Sequence, residues 1–295
     1  MRRWPWPLKT ERQPPPRTRR ALVVGGALAS AGLWAAASAT MARGTDAMSK
    51  PAQEPPQKTL PVPGEVFQVQ GRTAFLILPA RRPSRGPLPW VWYAPTLRPY
   101  PGREETWMFE QFLARGIGIA GVDVGESYGS PAGVALYTAF YEELTARRGL
   151  APKPALLARS RGGLMLYNWA AEHPQAVACV AGIYPVCNLR SYPGLEKACA
   201  AYGLSAAELE RELPRHNPIE RLAPLARAGV PIFHLHGDRD TVVPLEQNSG
   251  AVAQRYAQLG GTMTLEVVAG GGHDLAPAWF HSRKLVDFVI AAVGR

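Results

Sequence analysis

A serine hydroxyl becomes a useful nucleophile only when a histidine can take its proton and a carboxylate can hold that histidine in the right tautomer. The chain offers residues for such a set at three places. In Leu156-Leu157-Ala158-Arg159-Ser160-Arg161-Gly162-Gly163-Leu164 an apolar run meets a serine between two arginines, and two glycines lead into a helical pattern that ends at Glu172. A strand, a sharp turn of small residues and a helix expose a serine oxygen at the edge of a sheet. Further on, Phe233-His234-Leu235-His236-Gly237-Asp238-Arg239-Asp240 ends a strand in a loop with two carboxylates. Gly270-Gly271-Gly272-His273-Asp274 then puts a histidine on a glycine-rich loop before the last helix. Ser160, Asp240 and His273 follow one another with gaps of 80 and 33 residues.

The literal Gly-x-Ser-x-Gly pattern lies elsewhere, at Gly125-Glu126-Ser127-Tyr128-Gly129. Ser160 is preferred, because Ala158 is small enough to pass the turn, whereas the loop at Ser127 lacks the Gly-Gly-apolar start that lets a helix pack tightly behind it. Ser127 is instead expected to line the pocket from a neighbouring loop. His234-x-His236-x-Asp238 is similar to the start of the metallo-β-lactamase ligand motif, but Arg239 stands where the next histidine belongs, and the chain has no Cys-x-x-Cys. No metal and no cofactor are expected, and the two strand histidines read as hydrogen-bonded inside the fold.

The elements that must position these residues follow from periodicity and punctuation. Strands are predicted over 65–70, 72–78, 89–94, 117–124, 154–158, 177–184, 231–235 and 263–268. Helices are predicted over 106–115, 131–148, the elbow to 172, 206–213, 246–259 and 277–293. Strands alternating with helices imply an α/β fold with a mostly parallel central sheet and helices on both faces. Residues 186–228 are the least regular part and read as a short lid segment near the serine. Trp90, Trp92, Tyr93, Tyr100 and Trp107 fall around the loop after the third strand, either as core or as stacking surfaces.

On the triad order, and on HGDRDTVVP followed by GGGHD, residues 63–295 resemble the α/β-hydrolase family, in particular the dienelactone-hydrolase and prolyl-oligopeptidase-like catalytic domains. The resemblance implies the α/β-hydrolase fold and a serine hydrolase with Ser160 as nucleophile, Asp240 as acid and His273 as base. It places the acid four residues after His236, on Asp240 rather than Asp238. It also implies an oxyanion hole made by the backbone N–H of Arg161 and by an N–H near Thr96 or Leu97. The Ser160-Arg161 pair is similar to glucuronoyl esterases, in which an arginine follows the nucleophile. Arg159, Ser127 and Tyr100 are candidate substrate-binding residues, and the arginines suggest a sugar-linked or anionic ester.

Composition narrows the partners. The net charge of +10 is concentrated in residues 1–20, which carry seven Arg/Lys against one Glu. Residues 40–295 hold 26 basic and 22 acidic side chains without a basic run, which speaks against nucleic acid. Thr18-Arg19-Arg20-Ala21-Leu22-Val23, the soft apolar stretch to Ala39 and the Ala37-Ser38-Ala39 site read as a twin-arginine signal over 1–39. Residues 40–62 read as a proline-rich linker and 63–295 as the folded domain. The mature protein is expected to be periplasmic or extracellular, without stable membrane insertion, and to act on a small-molecule or polysaccharide-borne ester; membrane anchoring by residues 21–39 is the less favoured reading. Three cysteines are no disulfide scaffold, although Cys187 and Cys199 share one segment and could pair. The expected function is cleavage of carboxylic esters through an acyl-enzyme; a prolyl-oligopeptidase-type serine peptidase, or a non-catalytic binding protein on the same fold, are the alternatives.

Overall fold

Trp90-Val91-Trp92-Tyr93-Ala94 shows how the sequence makes its two layers. All five residues are fully buried, yet successive side chains enter different cores. That is the period-2 alternation of a strand covered on both sides. The computed structural model describes residues 58–81 and 86–294. The segments read as signal and as the first part of the linker, residues 1–57, lie outside the described residues.

The strands are β1 Glu65–Val69, β2 Arg72–Ile77, β3 Trp90–Ala94, β4 Gly118–Val122, β5 Ala155–Arg159, β6 Cys179–Ile183, β7 Ile232–Gly237 and β8 Met263–Val268. They form one sheet in the order β1-β2-β4-β3-β5-β6-β7-β8. The pairs β1–β2 and β2–β4 are antiparallel, and from β4 through β3 to β8 the strands run parallel. The helices are α1 Thr106–Ala114, α2 Pro131–Glu142, α3 Gly162–Glu172, α4 Leu195–Tyr202, α5 Ala206–His216, α6 Ala223–Arg227, α7 Ser249–Gln258, α8 Pro277–Phe280 and α9 Arg283–Val293. Trp90, Trp92, Leu156 and Ala158 pack with α2, α3, α6 and α7, whereas Val91, Tyr93, Leu157 and Ile183 pack with α1, α8 and α9.

Several boundaries differ from the sequence expectation; the helix expected over 131–148, for one, ends at Glu142 and continues only as a wider turn to Arg147. The closing helix is broken, because Ser282 accepts a hydrogen bond from Leu285 N–H and starts α9 afresh. The helix expected from Glu246 begins at Ser249, behind a short turn at Leu245–Gln247. The packed domain also starts before residue 63: Leu60 and Val62 join the core layer of α1 and α9. A proline-rich segment without apolar period can still dock as an extended strap, and its composition does not report that. Cys179, Cys187 and Cys199 are all free thiols. No helix among the described residues is long and apolar enough to cross a membrane.

Candidate active site

Ser160 ends β5 with φ of 48°, in the left-handed region that non-glycine residues seldom adopt. The turn is held from both sides: Ser160 N–H donates to Ile183 O at 3.0 Å, and Ser160 O accepts from Gly163 N–H at 2.9 Å and Val186 N–H at 2.8 Å. The two glycines of the elbow are steric necessities. A Cβ on Gly162 would collide with the Ala94 carbonyl, and one on Gly163 with the Val186 carbonyl. The chain ends of β3 and β6 therefore approach the start of α3 closely.

Ser160 Oγ lies 2.9 Å from His273 Nε2, and His273 Nδ1 lies 2.7 Å from Asp240 Oδ2. The other oxygen, Asp240 Oδ1, accepts from Val242 N–H at 3.0 Å and Val243 N–H at 2.8 Å. Burial acts to raise the Asp240 pKa, but the hydrogen bonds from His236, His273 and Val243 outweigh it and hold the carboxyl well below the usual carboxylate range. Asp240 is thus a buried carboxylate, oriented on Nδ1 so that Nε2 faces the serine. Asp238 has a different part: its Oδ1 accepts from Gly270 N–H at 2.7 Å and ties the two loops together.

Behind the acid runs a buried polar chain. His236 Nε2 sits 2.8 Å from Val243 O and 3.4 Å from Asp240 Oδ2, both acceptors, so Nε2 carries the proton. His236 Nδ1 then accepts from Ser249 Oγ at 2.7 Å, Ser249 Oγ accepts from His234 Nδ1 at 2.9 Å, and His234 Nε2 accepts from Tyr167 OH at 2.7 Å. Burial, helped by the neighbouring His236, pushes the His234 pKa down to about 3. Both strand histidines are thus hydrogen-bonded inside the fold, and no group of three potential metal ligands occurs among the described residues.

The cleft over Ser160 has a volume of about 290 Å³ and is lined by Pro95, Tyr100, Arg159, Arg161, Tyr184, Tyr192, Val242, His273, Asp274 and Leu275. Larger surface hollows lie elsewhere, one of about 920 Å³ along Pro89, Pro231 and Val293, away from the three residues. Chemistry, not size, identifies the 290 Å³ cleft as the site. Val242 and Leu275 form an exposed apolar lip, and Tyr184 stacks on His273 with ring centroids 4.3 Å apart. Tyr192 brings residues of the irregular 186–228 segment to the cleft, and that segment's own small core includes Leu164 of α3.

The flanking arginines are both already paired. Arg159 is buried, donates to Glu105 Oε1 at 2.6 Å, and lies between the rings of Tyr100 and Phe280, 4.6 and 4.9 Å from their centroids. Glu105 also accepts from Tyr93 OH at 2.7 Å and Gly102 N–H at 2.8 Å. Burial and the neighbouring Glu105 raise the Tyr93 pKa well above the phenol range. Arg161 is more exposed, pairs with Glu126 and lies over the ring of Tyr192.

The oxyanion loop departs from expectation. Thr96 and Leu97 are not among the residues lining the cleft; Thr96 is buried and spends its hydroxyl on Tyr93 O at 3.0 Å. Pro95 has no N–H, and Tyr100 N–H donates to Leu97 O at 2.8 Å, so the loop meets the cleft through Pro95 and the Tyr100 side chain rather than through a free amide of either residue. Ser127 does not line the cleft either. It is buried, and its Oγ and carbonyl take the N–H groups of Gly129 and Ser130 in the turn before α2. Its neighbour Glu126 reaches the site instead. Trp90, Trp92 and Tyr93 are core, and Trp107 packs beside His281. The residues that sequence reading missed are Glu105, Glu126, Tyr184, Tyr192 and Lys58. The charge pairs leave no local pattern.

This sheet order and triad geometry define an α/β-hydrolase fold. Residues 152–289, which contain Ser160, Asp240 and His273, match the model of the family described as the Prolyl oligopeptidase family. Among solved structures, a puromycin-hydrolyzing peptidase of Mycobacterium tuberculosis is similar at TM-score 0.62 and 18% identity, over 78% of this chain and 40% of that one. The acylaminoacyl peptidase of Pyrococcus horikoshii follows at TM-score 0.61 and 15% identity, over 78% and 42% of the two chains. Est1E from Butyrivibrio proteoclasticus gives TM-score 0.57 and 16% identity, over 79% of this chain and 99% of that one. The chain thus spans about two fifths of the length of those peptidases. No curated protein matches.

Proposed function

We propose that this chain is a serine hydrolase that cleaves peptide-type acyl bonds whose acyl side carries no negative charge. The observation that carries the reading is the continuous Ser160–His273–Asp240 hydrogen-bond line, 2.9 and 2.7 Å in its two links, opening into a cleft with an apolar lip. Ser160 Oγ attacks the acyl carbon as its proton passes to His273 Nε2, and Asp240 steadies the imidazolium. The Arg161 N–H, at the start of α3, and the Tyr100 phenol stand on either side as oxyanion donors. His273 then gives its proton to the leaving group, and water releases the acyl chain by the same steps in reverse.

Charge disfavours an anionic acyl side. Glu105 is held by Arg159 and Tyr93, Glu126 by Arg161, and Asp274 by Ala276 N–H and Trp279 Nε1. Glu105 and Glu126 are each neutralised by an arginine and neither arginine stands ready for a carboxylate, which disfavours the anionic ester suggested by sequence, whereas Asp274 is exposed at the cleft with no cation beside it among the described residues. The peptidase reading draws on the family match and on the peptidases among the structural neighbours. Carboxylic ester hydrolysis is the second reading, favoured by the same apolar lip, since triad and donors serve an ester equally well.

A fluorophosphonate probe mapped by mass spectrometry tests the mechanism: the adduct should sit on Ser160, and an adduct on Ser127, or none on folded protein, would sink it. N-acetylated peptide anilides should be cleaved faster than the same peptides capped with an anionic succinyl group. Turnover of p-nitrophenyl acetate with neither anilide would transfer the assignment to the ester reading.

A further inference from the structure

Lys58 precedes β1, in a stretch whose prolines gave no reason to expect a role at the site. Leu60 and Val62, just after it, pack into the core layer of α1 and α9 and so anchor the strap. Lys58 Nζ donates to Thr96 O at 3.2 Å, Leu97 O at 3.0 Å and Tyr100 O at 2.7 Å. No carboxylate lies within ion-pair distance of it among the described residues. Three carbonyl dipoles aimed at one point repel one another unless a cation occupies that point. The loop that makes this nest is bounded by two cleft residues, Pro95 and Tyr100. Its turn is closed by Tyr100 N–H on Leu97 O at 2.8 Å, and the Tyr100 ring covers the Arg159 guanidinium.

We infer that Lys58 is a positioning residue: its ammonium, delivered by a strap upstream of the first strand, fixes the 95–101 loop and thereby sets the Tyr100 phenol against Ser160. The inference rests on the serine-hydrolase reading, in which that phenol is an oxyanion donor. Lys58 touches no reacting atom and acts through the loop. Removing the side chain would leave a carbonyl nest able to take a small alkylammonium ion from solution.

The test uses the full chain with Lys58→Ala, Lys58→Met and Lys58→Arg. In Lys58→Met, kcat should fall about 10- to 100-fold, the cost of a slightly misplaced donor, with KM changed by less than about threefold. Hydrogen exchange of residues 96–101 should quicken in the same variant. Propylammonium chloride should restore both loop protection and kcat in Lys58→Ala, and do nothing for wild type. Wild-type kcat in Lys58→Met, or an Ala variant that propylammonium does not help, would overturn the inference. If Lys58→Ala does not fold, the other two variants decide: equal losses in Met and Arg would overturn it, and a smaller loss in Arg would support it. The fluorophosphonate adduct separates the levels, because a wild-type label away from Ser160 defeats the catalytic reading, while the exchange data still report on the loop.

Discussion

On one side of Ser160 stand His273 and Asp240, carried by the loops after the adjacent parallel strands β8 and β7. Their support is partly local: the Val242 and Val243 amides hold the aspartate from two and three residues on, and Asp238 ties the two loops through Gly270. On the other side stand Pro95 and Tyr100, whose loop is held by groups far away in sequence. Lys58 reaches it from 38 to 42 residues upstream, and the Glu105–Arg159 pair closes a separation of 54. The first wall is neutral-to-anionic and is held by backbone amides on the loops after two adjacent strands. The second depends on two buried or half-buried charges placed by tertiary packing. The wall that supplies proton transfer should thus fail by chemistry when altered, and the oxyanion wall by geometry and stability.

The largest effect is expected on the acid–base wall. Ser160→Ala or His273→Ala should lower kcat by about 10⁴-fold or more with the thermal midpoint nearly unchanged, measured with the best ester or anilide. Asp240→Asn should cost about 10⁴-fold by favouring the wrong tautomer. A mere tenfold loss in either would break the contrast. Across the cleft, Glu105→Gln leaves the Arg159 charge buried and unpaired, so denaturant unfolding should show a loss of about 3–5 kcal/mol, accompanied by a lower kcat. If stability stayed at the wild-type level, the second wall would not depend on that pair.

The polar chain behind Asp240 gives a pH signature. His234, held near 3 in the fold against 6.5 when free, resists protonation only in the folded state. Its contribution to stability is therefore full above pH 6.5 and is lost progressively as pH falls toward 3. Thermal midpoints of the wild type should decline across that window, and His234→Asn should flatten the upper part of the decline. A superimposable pair of curves would count against the assignment. The smallest effect is expected at the half-exposed Arg161–Glu126 pair, where Glu126→Gln should shift kcat/KM for neutral substrates by less than about threefold. A larger shift would mean that this pair, and not the buried one, selects substrate.

Much of the architecture was legible because it is written in short-range patterns. The strand read at 154–158, the small residues at the elbow and the helix behind it all follow from sequence, while the choice of Asp240 over Asp238 came from the family resemblance. The elbow could be preferred over Gly125–Gly129 because only Ser160 has a Gly-Gly-apolar helix start behind it, and the structure shows those glycines where the ends of β3 and β6 approach closely. The oxyanion donors were not legible in the same way. Thr96 and Leu97 stand at the expected distance from β3, but the turn of the loop carries them away from the cleft and brings Tyr100 in. Arg159 and Arg161 looked alike beside the serine, and their different surroundings came from Glu105 and Glu126, residues with no pattern linking them to the elbow.

The sequence by itself determined the parallel sheet, the elbow and the chain order of serine, aspartate and histidine, since alternation, glycine and loop placement act over a few residues. Only the tertiary structure decided which arginine is buried, which loop residue faces Ser160, and that a lysine outside the expected domain holds that loop. The physical reason is that a charge's partner is set by where packed elements bring side chains together, and separations of 38 or 54 residues leave no trace in local periodicity.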